Sequence, residues 1–88
     1  MKTFRKQPRD YLDYDIDLSD WLAPGDRVQD VKVEAPDGIE LVSTGYSDTQ
    51  VKLWIRGGKS GQSYKFSPLI YTDSREKEVD FMIVVVDM

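Results

Sequence analysis

Five aspartates near the start of the chain, Asp10, Asp13, Asp15, Asp17 and Asp20, are the first candidates for chemistry. Asp13, Asp15 and Asp17 occupy alternate positions. On a strand they would point the same way and could offer oxygens to a hard cation such as Ca²⁺. Calcium cages gather their ligands on a bent loop, however, whereas side chains two apart on a straight strand sit about 7 Å from one another. The same carboxylates could be imagined as an acid/base pair for glycoside hydrolysis. That chemistry needs one member held in an apolar pocket that raises its pKa, and an exposed acidic row supplies none. The row therefore reads as a solvated strand face whose charge discourages edge-to-edge aggregation. Gly57-Gly58-Lys59-Ser60-Gly61 carries the tail of a phosphate loop, but Leu53 stands where that motif needs its first glycine, and no helix follows. It is better read as a mobile hairpin tip. The chain has no histidine and no cysteine, so the usual neutral-pH base, the commonest metal ligand and any disulfide are all missing. No catalytic, cofactor-binding or metal-binding residue is assigned, and the expectation is a protein that binds and does not catalyse.

Two apolar features are candidate contacts. Trp54 lies between Lys52 and Arg56, on the side of its segment opposite Val51, Leu53 and Ile55. Left open, that side would suit a partner or a sugar ring; covered by a strand or the N-terminal segment, it would be ordinary packing. At the other end, Phe81, Ile83 and Val85 alternate with Met82, Val84 and Val86. A strand apolar on both faces, in a chain too small for a third layer, suggests contact with another chain. The alternative is that the N-terminus packs over it.

The elements that must position these residues follow from periodicity. Leu12, Tyr14, Ile16 and Leu18 alternate with Tyr11 and the aspartates, which is a half-buried strand. Ser19-Asp20-Trp21-Leu22 reads as one helical turn capped by Ser19 and ended by Pro24-Gly25, with Trp21 closing one end of the core. Strands follow over 28–35, over 39–42 after the Pro36-Asp37-Gly38 turn, and from Val51 to Arg56, with 43–49 a polar turn. Tyr64, Phe66 and Ile70 continue the pattern, and Pro68 fits an edge or a bulge better than a central strand. Gly61-Gln62-Ser63-Tyr64 has the form of a corner in which the tyrosine bonds back to loop backbone.

Composition agrees. There are twelve Asp but only four Glu, and two Ala against nine Val, five Ile and five Tyr, a balance that favours turns and strands over helix. The expected fold class is all-β: an immunoglobulin- or fibronectin type III-like β-sandwich of six to seven strands, with a small β-barrel as the alternative. Residues 1–10 are expected to be a flexible basic arm and 11–88 one sandwich domain. The net charge of −4, from 12 basic and 16 acidic side chains, argues against nucleic acid as a partner. The longest apolar run, Phe81–Val86, is far short of the roughly 20 residues that span a bilayer, and no signal-peptide pattern follows the basic start. No membrane partner and a cytosolic origin are expected.

Tyr11-Leu12-Asp13-Tyr14-Asp15-Ile16-Asp17 with Trp21-Leu22, then Gly25-Asp26, then Asp48-Thr49 leading into Val51–Ile55, a Gly-Gly turn and Gly61-x-x-Tyr64 resemble small proteins encoded among the tail and neck genes of tailed bacteriophages and prophages. Members are described as fiber–tail adaptor or head–tail-region proteins with an immunoglobulin-like fold. The resemblance runs from about Gln7 to Val86. It departs at Ser67-Pro68, where similar sequences run on unbroken, and at Asp73–Glu76, which lacks a glycine. It implies a non-catalytic structural or adaptor protein of a phage or prophage particle. Such a protein would meet other virion and tail proteins, self-associate in a ring, and pass from host cytoplasm into the virion. Met82, Val84 and Val86, with Trp54, would bury against partner subunits, and the arm from Lys2 to Arg9 would order on assembly. A stand-alone module that recognises carbohydrate or a cell-surface ligand through Trp54, Tyr46 and Tyr71 is the rival reading.

Overall fold

The computed structural model describes residues 2–87. They form nine strands, with no helix among the described residues: β1 (Lys2–Lys6), β2 (Tyr11–Asp17), β3 (Val28–Lys32), β4 (Ile39–Tyr46), β5 (Gln50–Gly57), β6 (Ser63–Phe66), β7 (Leu69–Thr72), β8 (Glu76–Glu78) and β9 (Phe81–Val85). They pair as three three-stranded sheets, β1–β9–β6, β2–β5–β4 and β3–β7–β8. None closes on itself, which removes the barrel alternative.

Period two decides what each strand buries. Val51, Leu53 and Ile55 of β5 are fully buried while Lys52 and Arg56 are exposed. Phe81, Ile83 and Val85 of β9 and Tyr64 and Phe66 of β6 meet them in one core, joined by Ile70 and Val28 from the third sheet. Phe66 and Phe81, directly opposite in register, stack at 5.3 Å.

Nine strands replace the expected six or seven, for two reasons. First, Ser67-Pro68 splits one long segment into β6 and β7, because proline cannot donate to a ladder. Pro68 is fully buried, and its carbonyl accepts Val79 N–H at 3.0 Å across the matching gap between β8 and β9. The β1–β9–β6 and β3–β7–β8 sheets thus run into one another with a break at the proline. Second, the arm expected to be flexible holds β1. Lys2–Lys6 pairs parallel with β9 along its whole length, Lys2 to Phe81 through Lys6 to Val85. Phe4 packs at 5.1 Å from the Tyr14 ring and 5.9 Å from Phe81. Of the charges that made the segment look disordered, Arg5 lies on the outer side and Lys2 is exposed at the start of the strand. The exception is Lys6, 1% exposed, whose Nζ donates to Gly57 O at 2.5 Å and Gln7 O at 2.8 Å.

The connections are tied down too. Asp17 Oδ1, and not Ser19, caps the single helical turn by accepting Ser19 N–H, and Leu22 N–H reaches back to Leu18 O. Leu18 and Val28 donate to Thr49 O and Asp48 O, so the tip of the β4–β5 hairpin is fastened to both ends of the β2–β3 connection. The segment 43–49, expected to be a turn, is strand as far as Tyr46; its residues are polar because this stretch of β4 is exposed. The expected mobile tip at Gly57–Gly61 is anchored. Gly57 O receives Lys6, Lys59 N–H donates to Tyr64 Oη at 2.9 Å, and Gly61 N–H donates to Val85 O.

Candidate functional site

The outer face of β2–β5–β4 is built by register. Asp13 lies opposite Trp54 and Asp15 opposite Lys52, so the outward row of β2 runs alongside the outward row of β5. Lys52 Nζ sits 3.0 Å from Asp13 and 3.7 Å from Asp15. The hydrogen bond from Lys52 lowers the Asp13 pKa, and Asp13 with Asp15 raises that of Lys52. Asp17 is lowered by its bonds to Ser19. The acidic row is therefore committed to a cross-strand lysine and a turn, and no group of three or more His, Cys, Asp or Glu side chains among the described residues converges to hold a metal. On the other flank Arg56 bonds Glu40 through two nitrogens, both at 3.1 Å.

Between these ion pairs lies an aromatic couple. Trp54 is half-buried, and its ring centroid is 5.3 Å from that of Tyr11, which is 48% exposed. Tyr11 lies opposite Arg56 and reaches Trp54 along the diagonal of the pair, a spacing aromatic side chains can bridge. Periodicity placed Tyr11 outward, but its meeting with Trp54 depends on strand register, which a single sequence does not display.

The outer face of β1–β9–β6 is the second surface. Met82 lies between Thr3 and Lys65, and Val84 between Arg5 and Ser63. All four flanking residues are exposed, and Met82, Val84 and Val86 are half-buried. The N-terminal segment pairs beside β9 in the same sheet and leaves this face without a second layer. Lys65 is drawn 3.6 Å from Asp80. The result is a short apolar stripe with a polar rim, half of it basic.

The remaining aromatics are dispersed. Tyr46 lies opposite Val51, on the inner-facing row of β4, and donates to Gln29 O at 2.6 Å. Tyr71 is on β7 beneath Lys32. Neither joins Trp54, so the three do not form one sugar-binding platform. Trp21 packs on the end of the core as expected, with the Arg75 guanidinium 4.2 Å and Lys77 5.3 Å from its ring.

Asp26 was conspicuous only as part of the Gly25-Asp26 pair, yet it organises that end of the molecule. It accepts from Thr72 Oγ1 (2.9 Å), Ser74 Oγ (3.0 Å), Asp73 N–H (3.0 Å) and Arg27 N–H (3.0 Å), and its side chain is 4% exposed. Burial pushes its pKa up, and the hydrogen bonds from Thr72, Ser74, Arg27 and Asp73 together outweigh that and hold it low. This is a joint between the β2–β3 connection and the β7–β8 turn, with every oxygen satisfied.

A family described as "Podophage GP4 fiber-tail adaptor protein gp77" has a model that matches residues 6–84, from the end of β1 to the penultimate residue of β9. No curated protein matches the chain.

Proposed function

This chain belongs to the podophage fiber-tail adaptor family, and from that premise we propose that it is a non-catalytic structural adaptor of a phage or prophage particle, joining fiber and tail components by protein–protein contact. The observation that carries the reading is β9, apolar on both sides. Phe81, Ile83 and Val85 complete the core, while Met82, Val84 and Val86 face outward within a rim of Thr3, Arg5, Ser63 and Lys65. Methionine and aliphatic groups at the centre with arginine at the margin is the make-up of a protein interface. Trp54, coupled to Tyr11 between paired charges, is the second contact, since a tryptophan with an exposed aromatic neighbour is a common binding hot spot. The partners in this reading are other tail proteins, with several copies of the chain set around a ring. The protein passes from host cytoplasm to virion.

The fold within this reading is an immunoglobulin-like sandwich. Support comes from the order β2–β5–β4 in one layer against β3, β7 with β6, β9 with β8, and β1 in the other. The bond from Lys59 N–H to Tyr64 Oη at a strand start has the form of the tyrosine corner of such sandwiches. Incorporation tests the function. A Met82→Glu, Val84→Glu chain should fold normally and be missing from purified particles that contain the wild-type chain; equal incorporation would remove these residues from the interface.

A further inference from the structure

β4 is a sheet edge whose one charge is Glu40, with a bulge between Leu41 and Ser43. It pairs with β5 on one side only, and every residue from Val42 to Tyr46 is exposed. Most of the other edge strands carry several charges: Asp13, Asp15 and Asp17 on β2, Lys2 and Arg5 on β1, Asp30 and Lys32 on β3, and Glu76, Lys77 and Glu78 on β8, whereas β6 carries Lys65 alone. Charge of this kind blocks a further strand from adding. On β4 no charged residue occurs from Leu41 to Ser47.

Its free backbone groups can be assigned. Ser47 N–H donates to Gln50 O, so these two form a bonded pair. Bonded and non-bonded pairs alternate along an antiparallel ladder, which makes Gly45–Lys52 and Ser43–Trp54 bonded as well. The N–H and C=O of Thr44 and Tyr46 therefore point away from β5, toward solvent. We propose that free copies of this chain pair through this edge, β4 against β4, antiparallel about a two-fold axis at Thr44. That register sets Thr44 opposite Thr44 and Ser43 beside Gly45 of the second copy, twice, within the regular stretch that follows the bulge between Leu41 and Ser43. Thr with Thr is a favourable cross-strand neighbour, and no like charges meet. The two β2–β5–β4 sheets become one of six strands. Such a two-fold contact is self-complementary and closed, unlike the head-to-tail contact that repeats around a ring. It thus belongs to the chain before assembly, and it does not depend on the adaptor reading.

Light scattering coupled to size exclusion, over a concentration series, tests the pairing. The wild type should move from monomer to dimer. Thr44→Pro removes one outward N–H and leaves the Ser43 and Gly45 bonds to β5 in place. Thr44→Glu sets two like charges across the axis without altering the backbone, and it decides the matter should the proline variant not fold. Each should raise the dimer dissociation constant by roughly tenfold or more while the monomer's melting temperature stays unchanged. A wild type that is monomeric at every concentration, or a dimer indifferent to Thr44→Glu, overturns the proposal.

Discussion

The hydroxyl of Tyr64 accepts the backbone N–H of Lys59 at 2.9 Å, while its ring fills the space left by two glycines. A Cβ on Gly38 would come within 3.2 Å of the ring, and one on Gly58 within 3.4 Å. One side chain thus joins β6 to the loop that carries the chain out of β5, from one sheet to another. Tyr64→Phe keeps the ring and deletes the acceptor, leaving a part-buried amide without a partner. Urea unfolding should show a loss of about 1–2 kcal/mol.

Gly58 and Gly61 both have positive φ, +96° and +87°, but different surroundings. A Cβ on Gly58 would lie 2.7 Å from Val85 in the core, whereas nothing lies within 4 Å of one on Gly61. Gly61→Ala should cost about 1 kcal/mol, for backbone strain alone. Gly58→Ala should cost that and a further 1–3 kcal/mol or so for overpacking. Paired denaturation curves check the ordering.

Asp26 should govern acid sensitivity. Its carboxylate is held below the usual range, so its contribution to stability is present above the unfolded value of about 3.9 and is lost as pH falls through the lower folded value. Asp26→Asn should be less stable than wild type at pH 7, with the difference shrinking below about pH 4. A constant difference across the acid range would show that the charge is not what matters.

How much of this was legible in the sequence follows from the range of the interactions. Strict alternation in Val51–Arg56 and Phe81–Val86 reports only which side of a strand is wet, and it placed Val51, Leu53, Ile55, Phe81, Ile83 and Val85 in the core. The Tyr64 corner and the Trp21 end-plug were legible because their cues are local. β1 was not, since Lys2, Arg5 and Lys6 look solvated until Lys6 finds the carbonyls of Gln7 and Gly57, one of them fifty-one residues away. The exposed half of β4 read as a turn because polar residues on an edge carry no period. The outward positions of Trp54 and Met82 could be read, but the Tyr11–Trp54 couple and the rim around Met82 depend on which strands are neighbours.

Lys6 offers an alkaline counterpart. Burial lowers its pKa, with Asp10 partly opposing. Between that lowered value and the unfolded value of about 10.4, the unfolded chain binds more protons, so stability rises with pH on this account. Tyr14, raised by burial and then by Asp10, acts in the opposite sense. The difference between wild type and Lys6→Met isolates the lysine: it should grow in favour of wild type as pH rises through that window.

In the proposed assembly the outer faces of β9 and β5 are buried by other tail proteins. Hydroxyl-radical footprinting reads methionine and tryptophan side chains directly, and can be applied to the free chain and to the chain within purified particles. The account predicts that Met82 and Trp54 oxidise readily in the free chain and are protected several-fold in the particle, with Trp21 little changed. Equal oxidation of Met82 and Trp54 in the two states would contradict it.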